Sequence, residues 1–267
     1  MSTFLLAPYT TAWRHRHLVT ALAEREIRTT FRGSLLGAAW RILQPLCTVA
    51  VYALVFGGIL GLNGGGNGMA FVSSLFAGIV VYQAFSATVA RAPRLVVARQ
   101  NFVTKVAFPL DLLPWPVLAL AAVNAAISAA MLVALHWALV ATPAWTVVFL
   151  PLLLVPGLLL GLGVSWLLAG IGVYVRDTQE IVRVCLQLLF FLTPIVWSLD
   201  MVQDATIAAL VQLNPLTIFV ESIRWSLRGS GGPGTLPVLC ATLAAAGVAA
   251  VGHRVFQRLR SGFADVM

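Results

Sequence analysis

Residues 174–197 read YVRDTQEIVRVCLQLLFFLTPIVW, and this stretch decides the fold. A long run without Asp, Glu, Lys or Arg ends at Val175. Arg176, Asp177, Glu180 and Arg183 then fall within eight residues. An apolar run of helix length follows until Pro194 interrupts it. In so hydrophobic a chain, that order describes a membrane boundary, a return into the bilayer and a kink at depth. Charges keep to the headgroup level because a charged side chain at the bilayer centre costs about 2.5–3.5 kcal/mol even on insertion scales. Pro194 removes one backbone donor, and the Thr193 hydroxyl beside it can satisfy a freed carbonyl. Thr193 and Pro194 are therefore expected to form a hinge.

Composition supports a membrane solvent. Of 267 residues, 60% are hydrophobic and 10% charged, against about 25% charged in soluble domains. A net charge of +8 would suit nucleic acid, but the arginines sit at the edges of apolar runs and read as topology signals. Cys47, Cys185 and Cys240 lie singly in apolar runs, with no CxxC pair to hold a metal or a disulfide framework. The first 13 residues lack the basic and apolar segments of a cleavable signal peptide.

Working outward, residues 13–33 place Leu18, Leu22, Ile27 and Phe31 on roughly one side of a helix, with Arg14, Arg16, Arg25, Arg28 and Arg32 elsewhere. This predicts a basic amphipathic helix in the membrane surface. Ile42 to Ala90 carries no charge and holds two spans, near 36–61 and 69–90, since each needs about 20 residues. A Gly- and Asn-rich turn at 62–68 separates them. Residues 91–111 are too polar to span and too apolar for a plain linker, and predict a short helix parallel to the membrane. Two more spans are expected near 112–140 and 146–174, a fifth from Ile181 to Trp197, and a last from Thr235 to Gly252. Between these, 200–234 offers two apolar pieces too short to cross, joined at Asn214-Pro215. Irregular backbone at membrane depth is tolerated only inside protein or along a water-filled path, so this stretch is expected to re-enter the membrane as a gate.

Six spans put both termini on one side, which then holds 15 of the 17 basic residues. Only Arg224 and Arg228 fall opposite, beside three acids. The positive-inside rule makes the arginine-rich side cytoplasmic. No GxxxxGK[ST] phosphate loop, HExxH or GxSxG motif occurs. His136 and His253 have no acid near them in sequence, and no span centre carries an ionisable coupling residue. A pathway-like element without an energy source implies a partner that supplies energy at the cytoplasmic face.

Three groups of residues carry a resemblance. They are Arg25-Glu26-Ile27-Arg28 with residues 31–40 (FRGSLLGAAW) and Gln44-Pro45; Asn101 to Val106 with Pro109; and Arg176-Asp177, Glu180-Ile181, residues 190–197 (FFLTPIVW) and Asn214-Pro215-Leu216. In this order and spacing the chain resembles the permease subunit of type 2 ABC exporters for cell-surface polysaccharide, the O-antigen, teichoic-acid and capsule permeases. The resemblance implies an all-α polytopic membrane protein: one transmembrane domain over 1–267, with six transmembrane helices, an N-terminal interfacial helix at 13–33, a coupling loop at 93–106 and re-entrant external gate helices at 199–234. It implies a homodimer with two cytoplasmic ATPase subunits, which would bind ATP and Mg. No cofactor or metal is implied in this chain, no catalysis by it, and no nucleic-acid partner. The cargo would be a lipid-linked glycan crossing the bacterial cytoplasmic (inner) membrane between protomers.

The resemblance also implies roles. Tyr52, Phe56, Tyr82, Phe85, Phe190, Phe191 and Trp197 would line the channel, where sugar rings stack on aromatic faces and slide. Arg99, Asn101, Phe102, Thr104 and Lys105 would couple to the ATPase. Arg25, Glu26, Arg28, Arg32, Arg176, Asp177 and Glu180 would organise the cytoplasmic boundary, with the N-terminal helix bracing the coupling loop. Thr193, Pro194, Asn214 and Pro215 would form the hinge and gate. The spans alone leave open a type 2 permease for a drug or simple lipid. A membrane-embedded glycosyl- or acyltransferase would need an acidic cluster or a catalytic His–Asp pair at a membrane face, and the sequence is expected to hold neither.

Overall fold

The uncharged runs fold as helices because hydrocarbon offers no partner for a free backbone N–H or C=O. The computed structural model describes residues 9–30, 36–59, 61, 68–99 and 108–266, and no strand occurs among them. Helix α1 is Arg16–Thr29, preceded by a helical stretch over 9–14. Its arginines and glutamates lie mostly exposed, while Leu18, Val19 and Leu22 pack on the core, as the amphipathic pattern requires.

Helix α2 (Trp40–Tyr52) continues as a π-helical segment, Ala53–Ile59. Helices α3 (Gly68–Val89), α4 (Pro114–Leu139) and α5 (Leu150–Tyr174) follow the charge-free runs closely. Three residues after α5, α6 (Thr178–Leu192) begins. Its 15 residues rise only about 23 Å, less than the ~30 Å of a hydrocarbon core. Helices α7 (Ala205–Leu213) and α8 (Pro215–Arg228) meet at 90°. Helix α9 (Thr235–Arg260) and the short α10 (Phe263–Val266) close the chain.

Four helices, those containing α3, α4, α5 and α9, are long and apolar enough to cross a membrane among the described residues, and the bent α7–α8 pair makes at most a fifth. The two other expected spans are shorter pieces: α2 with its π extension, and α6. The last helix runs eight residues past the expected Gly252, because Arg254, Arg258 and Arg260 favour a helix C-terminus as readily as a loop. Of the expected surface helix of 91–111, the described residues form 3₁₀ turns at Ala92–Arg94, Val97–Arg99 and Leu110–Leu112, and residues 100–107 lie outside the description. Pro93 and the clustered arginines oppose a regular α-helix there.

Helix α3 is central, burying Leu75, Phe76 and Val80 against α4, α5 and α8. The closest pairing joins α5 to α9. There a Cβ on Gly163 would lie 2.6 Å from Ala249 Cα, and one on Gly252 would lie 2.1 Å from Gly163 O, so small residues let the two backbones touch.

Candidate functional site

Between α2, α3, α4 and α6 lies a cavity of about 520 Å³. Gln44, Gln83, Asn124, Ser128, Gln179 and Gln187 line it, together with Arg41 and Arg183. Gln83, Asn124, Ser128 and Gln179 are half-buried or buried, turned from a lipid face that cannot solvate them, while Gln44, Gln187 and Arg183 stand exposed. Each amide presents both donors and an acceptor, the pattern that matches hydroxyl-rich ligands. These amides do not figure among the residues expected from sequence. Their signal was present all the same: Gln83 and Asn124 are amides within charge-free runs.

Tyr82 lines the same cavity, and its hydroxyl donates to Leu186 O at 2.6 Å, tying α3 to α6. From it runs a chain of ring contacts. Tyr82 meets Phe190 at 5.1 Å between centroids, Phe190 meets Tyr52 at 5.6 Å and Phe191 at 5.3 Å, and Tyr52 meets Phe56 at 5.9 Å. Five of the seven expected channel aromatics are thus contiguous. Phe85 instead lies buried in the core. Trp197 donates its indole N–H to Phe191 O at 3.1 Å and closes the turn after α6.

That turn joins the two halves of the expected gate. Thr193, fully buried, donates its hydroxyl to Leu189 O at 2.8 Å and accepts from Asn214 Nδ2 at 3.0 Å. Asn214 Oδ1 in turn accepts from Leu216 N at 3.0 Å, capping α8, with Pro215 at its first position. Pro194 is buried beside Ile195, whose backbone lies against Gly78 of α3. Arg224, 4% exposed, fixes the far side, donating to Ile195 O and Ser74 O (3.2 Å each) and pairing with Glu221 at 2.7 Å.

At the opposite end Glu26 of α1 pairs with both Arg91 and Arg99, at 3.1 Å each. Pro93, between them in sequence, sits on α5, where a Cβ on Gly172 would fall 2.1 Å from Pro93 O. Arg28 pairs with Glu24, and Glu180 with Arg183. Arg25, Arg176 and Asp177 are exposed, and neither of the last two pairs with the other or with α1 among the described residues. Arg32, Asn101, Phe102, Thr104 and Lys105 lie outside the described residues. Two histidines distant from any acid in sequence acquire partners in the fold: His253 approaches Asp111 at 3.6 Å, and His136 Nδ1 meets Ser73 Oγ at 2.8 Å. Both contacts tie helix ends together. Asp111 O also accepts from Trp166 Nε1 at 2.9 Å.

Residues 17–227 match the family model described as ABC-2 type transporter. The O-antigen export system permease protein RfbA of Myxococcus xanthus is 29% identical over 254 residues, 95% of this chain and 96% of that protein. A protein of the same name from Klebsiella pneumoniae is 21% identical over 252 residues, 94% and 95% of the two chains. A second Klebsiella pneumoniae protein of that name is 18% identical over 251 residues. With four apolar helices of spanning length and a family match over most of its length, this multi-pass membrane protein belongs to the ABC-2 type transporter family.

Proposed function

We propose that this chain is the permease subunit of an ATP-driven exporter for a lipid-linked polysaccharide of the O-antigen, teichoic-acid or capsule kind. The observation that carries this reading is the amide-lined cavity running into the Tyr82–Phe190–Tyr52 ring cluster. Amides exchange hydrogen bonds with sugar hydroxyls, and aromatic faces accept successive rings without fixed register. End-to-end similarity to permeases named for O-antigen export supports the same cargo.

Two copies would enclose the path. Helix α6 exposes Ile181, Val184, Leu188 and Phe191 along one side, an apolar stripe suited to a second copy or to lipid. Two cytoplasmic ATPase subunits would bind ATP and Mg and press on the loop after α3. The Glu26 ion pairs and the Pro93–Gly172 contact would carry that push into α1 and α5. The joint of α6 with α8 at Thr193 and Asn214 would open the exit in the bacterial cytoplasmic (inner) membrane, with both termini on the ATPase side.

Co-expression with the ATPase encoded beside it, followed by pull-down and ATPase measurement, tests this reading. The wild-type chain is expected to hold the ATPase, and the Phe102→Ala, Lys105→Ala variant to lose or uncouple it. A folded wild-type chain that holds no ATPase would overturn the exporter assignment. Restoration of surface glycan in a deletion strain tests the cargo.

A further inference from the structure

The end of the bundle opposite Glu26 carries two adjoining cavities of different character. One, about 510 Å³, is mixed, with Ser74, Gln212, Thr217, Glu221, Arg224 and Arg228 as its polar lining beside Leu199 and Ile218. The other, about 440 Å³, is apolar and lined by Leu153, Trp225, Val238 and Leu239. Gly232 and Pro233 border both.

Charge decides what the mixed cavity prefers. Arg224 is neutralised by Glu221 at 2.7 Å. Arg228 is exposed and touches only a neutral partner in the described contacts, Ser74 Oγ at 3.1 Å. The charged residues that line the cavity, Glu221, Arg224 and Arg228, therefore sum to one positive charge, beside the neutral hydrogen-bonding groups of Gln212 and Thr217.

Depth decides what the pair of cavities meets. Trp137 and Trp145 stand 68% and 75% exposed at this end, with Trp225 joined to Trp145 through Phe149. Exposed tryptophans mark the headgroup level of a bilayer. The α4–α5 connection is pinned to the same level by Thr146 Oγ1 donating to Ser226 O at 2.9 Å. Leu239, 59% exposed, opens the apolar cavity toward the lipid side. We infer that the paired cavities at Gly232-Pro233 bind a lipid phosphate, its anionic head against Arg228 and the start of its chain against Trp225, Val238 and Leu239. With phosphatidylglycerol as the ligand this inference stands apart from the exported cargo; with a polyprenyl phosphate it rests on the proposed export of a lipid-linked glycan. Two sources share the chemistry, a phosphatidylglycerol and a polyprenyl phosphate.

Native mass spectrometry of the full-length chain, purified and titrated with phosphatidylglycerol, polyprenyl phosphate, phosphatidylcholine or inorganic phosphate, tests it. At least one of the first two is expected to bind more tightly than phosphatidylcholine, and the tighter one names the source. Arg228→Gln should weaken that binding about fivefold, the effect of one basic side chain at an anionic interface. Leu239→Asn should weaken it without touching the charge, and Arg258→Gln at the other end should leave it unchanged. Equal binding of phosphatidylcholine, indifference to Arg228→Gln in a variant of unchanged thermal stability, or displacement by inorganic phosphate at equal concentration would each overturn the assignment.

Discussion

Asn214 Nδ2 donates to Thr193 Oγ1 at 3.0 Å while Asn214 Oδ1 caps α8, so one amide holds together two turns 21 residues apart. The two functions separate by substitution. Asn214→Asp keeps the cap acceptor and loses the donor to Thr193; Asn214→Ala loses both. Thermal unfolding in detergent is expected to show a loss of about 0.6 kcal/mol for the first, a typical interhelical bond in a membrane, and about 1 kcal/mol more for the second, the usual worth of an N-cap.

Glu26 bridges Arg91 and Arg99 from a different helix. Both pairs are partly solvated, so Glu26→Gln should change stability by less than about 1 kcal/mol. Transport-linked ATPase activity of the assembled complex should nonetheless fall several-fold. The exchange Glu26→Arg with Arg99→Glu should restore part of it, which a merely lost charge would not.

Gly172 lies where a methyl group would meet Pro93 O at 2.1 Å. A backbone oxygen cannot swing aside as a side chain can. Gly172→Ala should cost about 1–3 kcal/mol by overpacking and should shift the loop after α3, read as loss of ATPase retention in pull-down.

Asn124→Leu and Gln83→Leu remove amides from the cavity while adding apolar surface to helices already in lipid. Export of surface glycan should drop several-fold in each, with membrane insertion and ATPase retention unchanged. Export at the wild-type level in both would remove the cavity from the path.

Asp204 caps α7 by accepting from the backbone N–H of Thr206 at 2.7 Å and Ile207 at 3.2 Å. Those bonds, Ile207 first and then Thr206, hold its carboxyl below the usual aspartate range. Because the folded value lies below the unfolded one, the cap contributes fully above the ordinary aspartate value and is lost as pH falls through the folded value. Hydrogen exchange over 205–213, corrected for intrinsic rates, should therefore rise in acid for the wild type. Asp204→Asn, which caps without titrating, should flatten that pH dependence.

Much of this arrangement was legible in the residues. Charge-free runs located α3, α4 and α5 within a few positions, because hydrocarbon forbids charges and forces helices. Asn214-Pro215 marked the joint between two short apolar pieces, and the fold supplies both the cap and the 90° bend there. Less legible was anything that depends on which face of a span turns inward. Phe85 and Tyr82 are three residues apart on one helix, yet one is core and the other lines the cavity. The partners Asp111 and His253 lie 142 positions apart and no local spacing could pair them. Arg224 sits only three residues from Glu221, but its burial against Ile195 O and Ser74 O needs the turn after α6 to be in place.

The last helix extends the molecule beyond the membrane. Helix α9 has 26 residues, about 39 Å at the α-helical rise, against a hydrocarbon thickness of about 30 Å. Roughly its final two turns therefore stand clear of the acyl chains, carrying Arg254, Arg258 and Arg260 on a rigid post. Tyr174, at the end of α5, buttresses that post by donating to Leu259 O at 2.8 Å. Any movement of α5 at the membrane surface is thus passed to a charged lever that already reaches into the water.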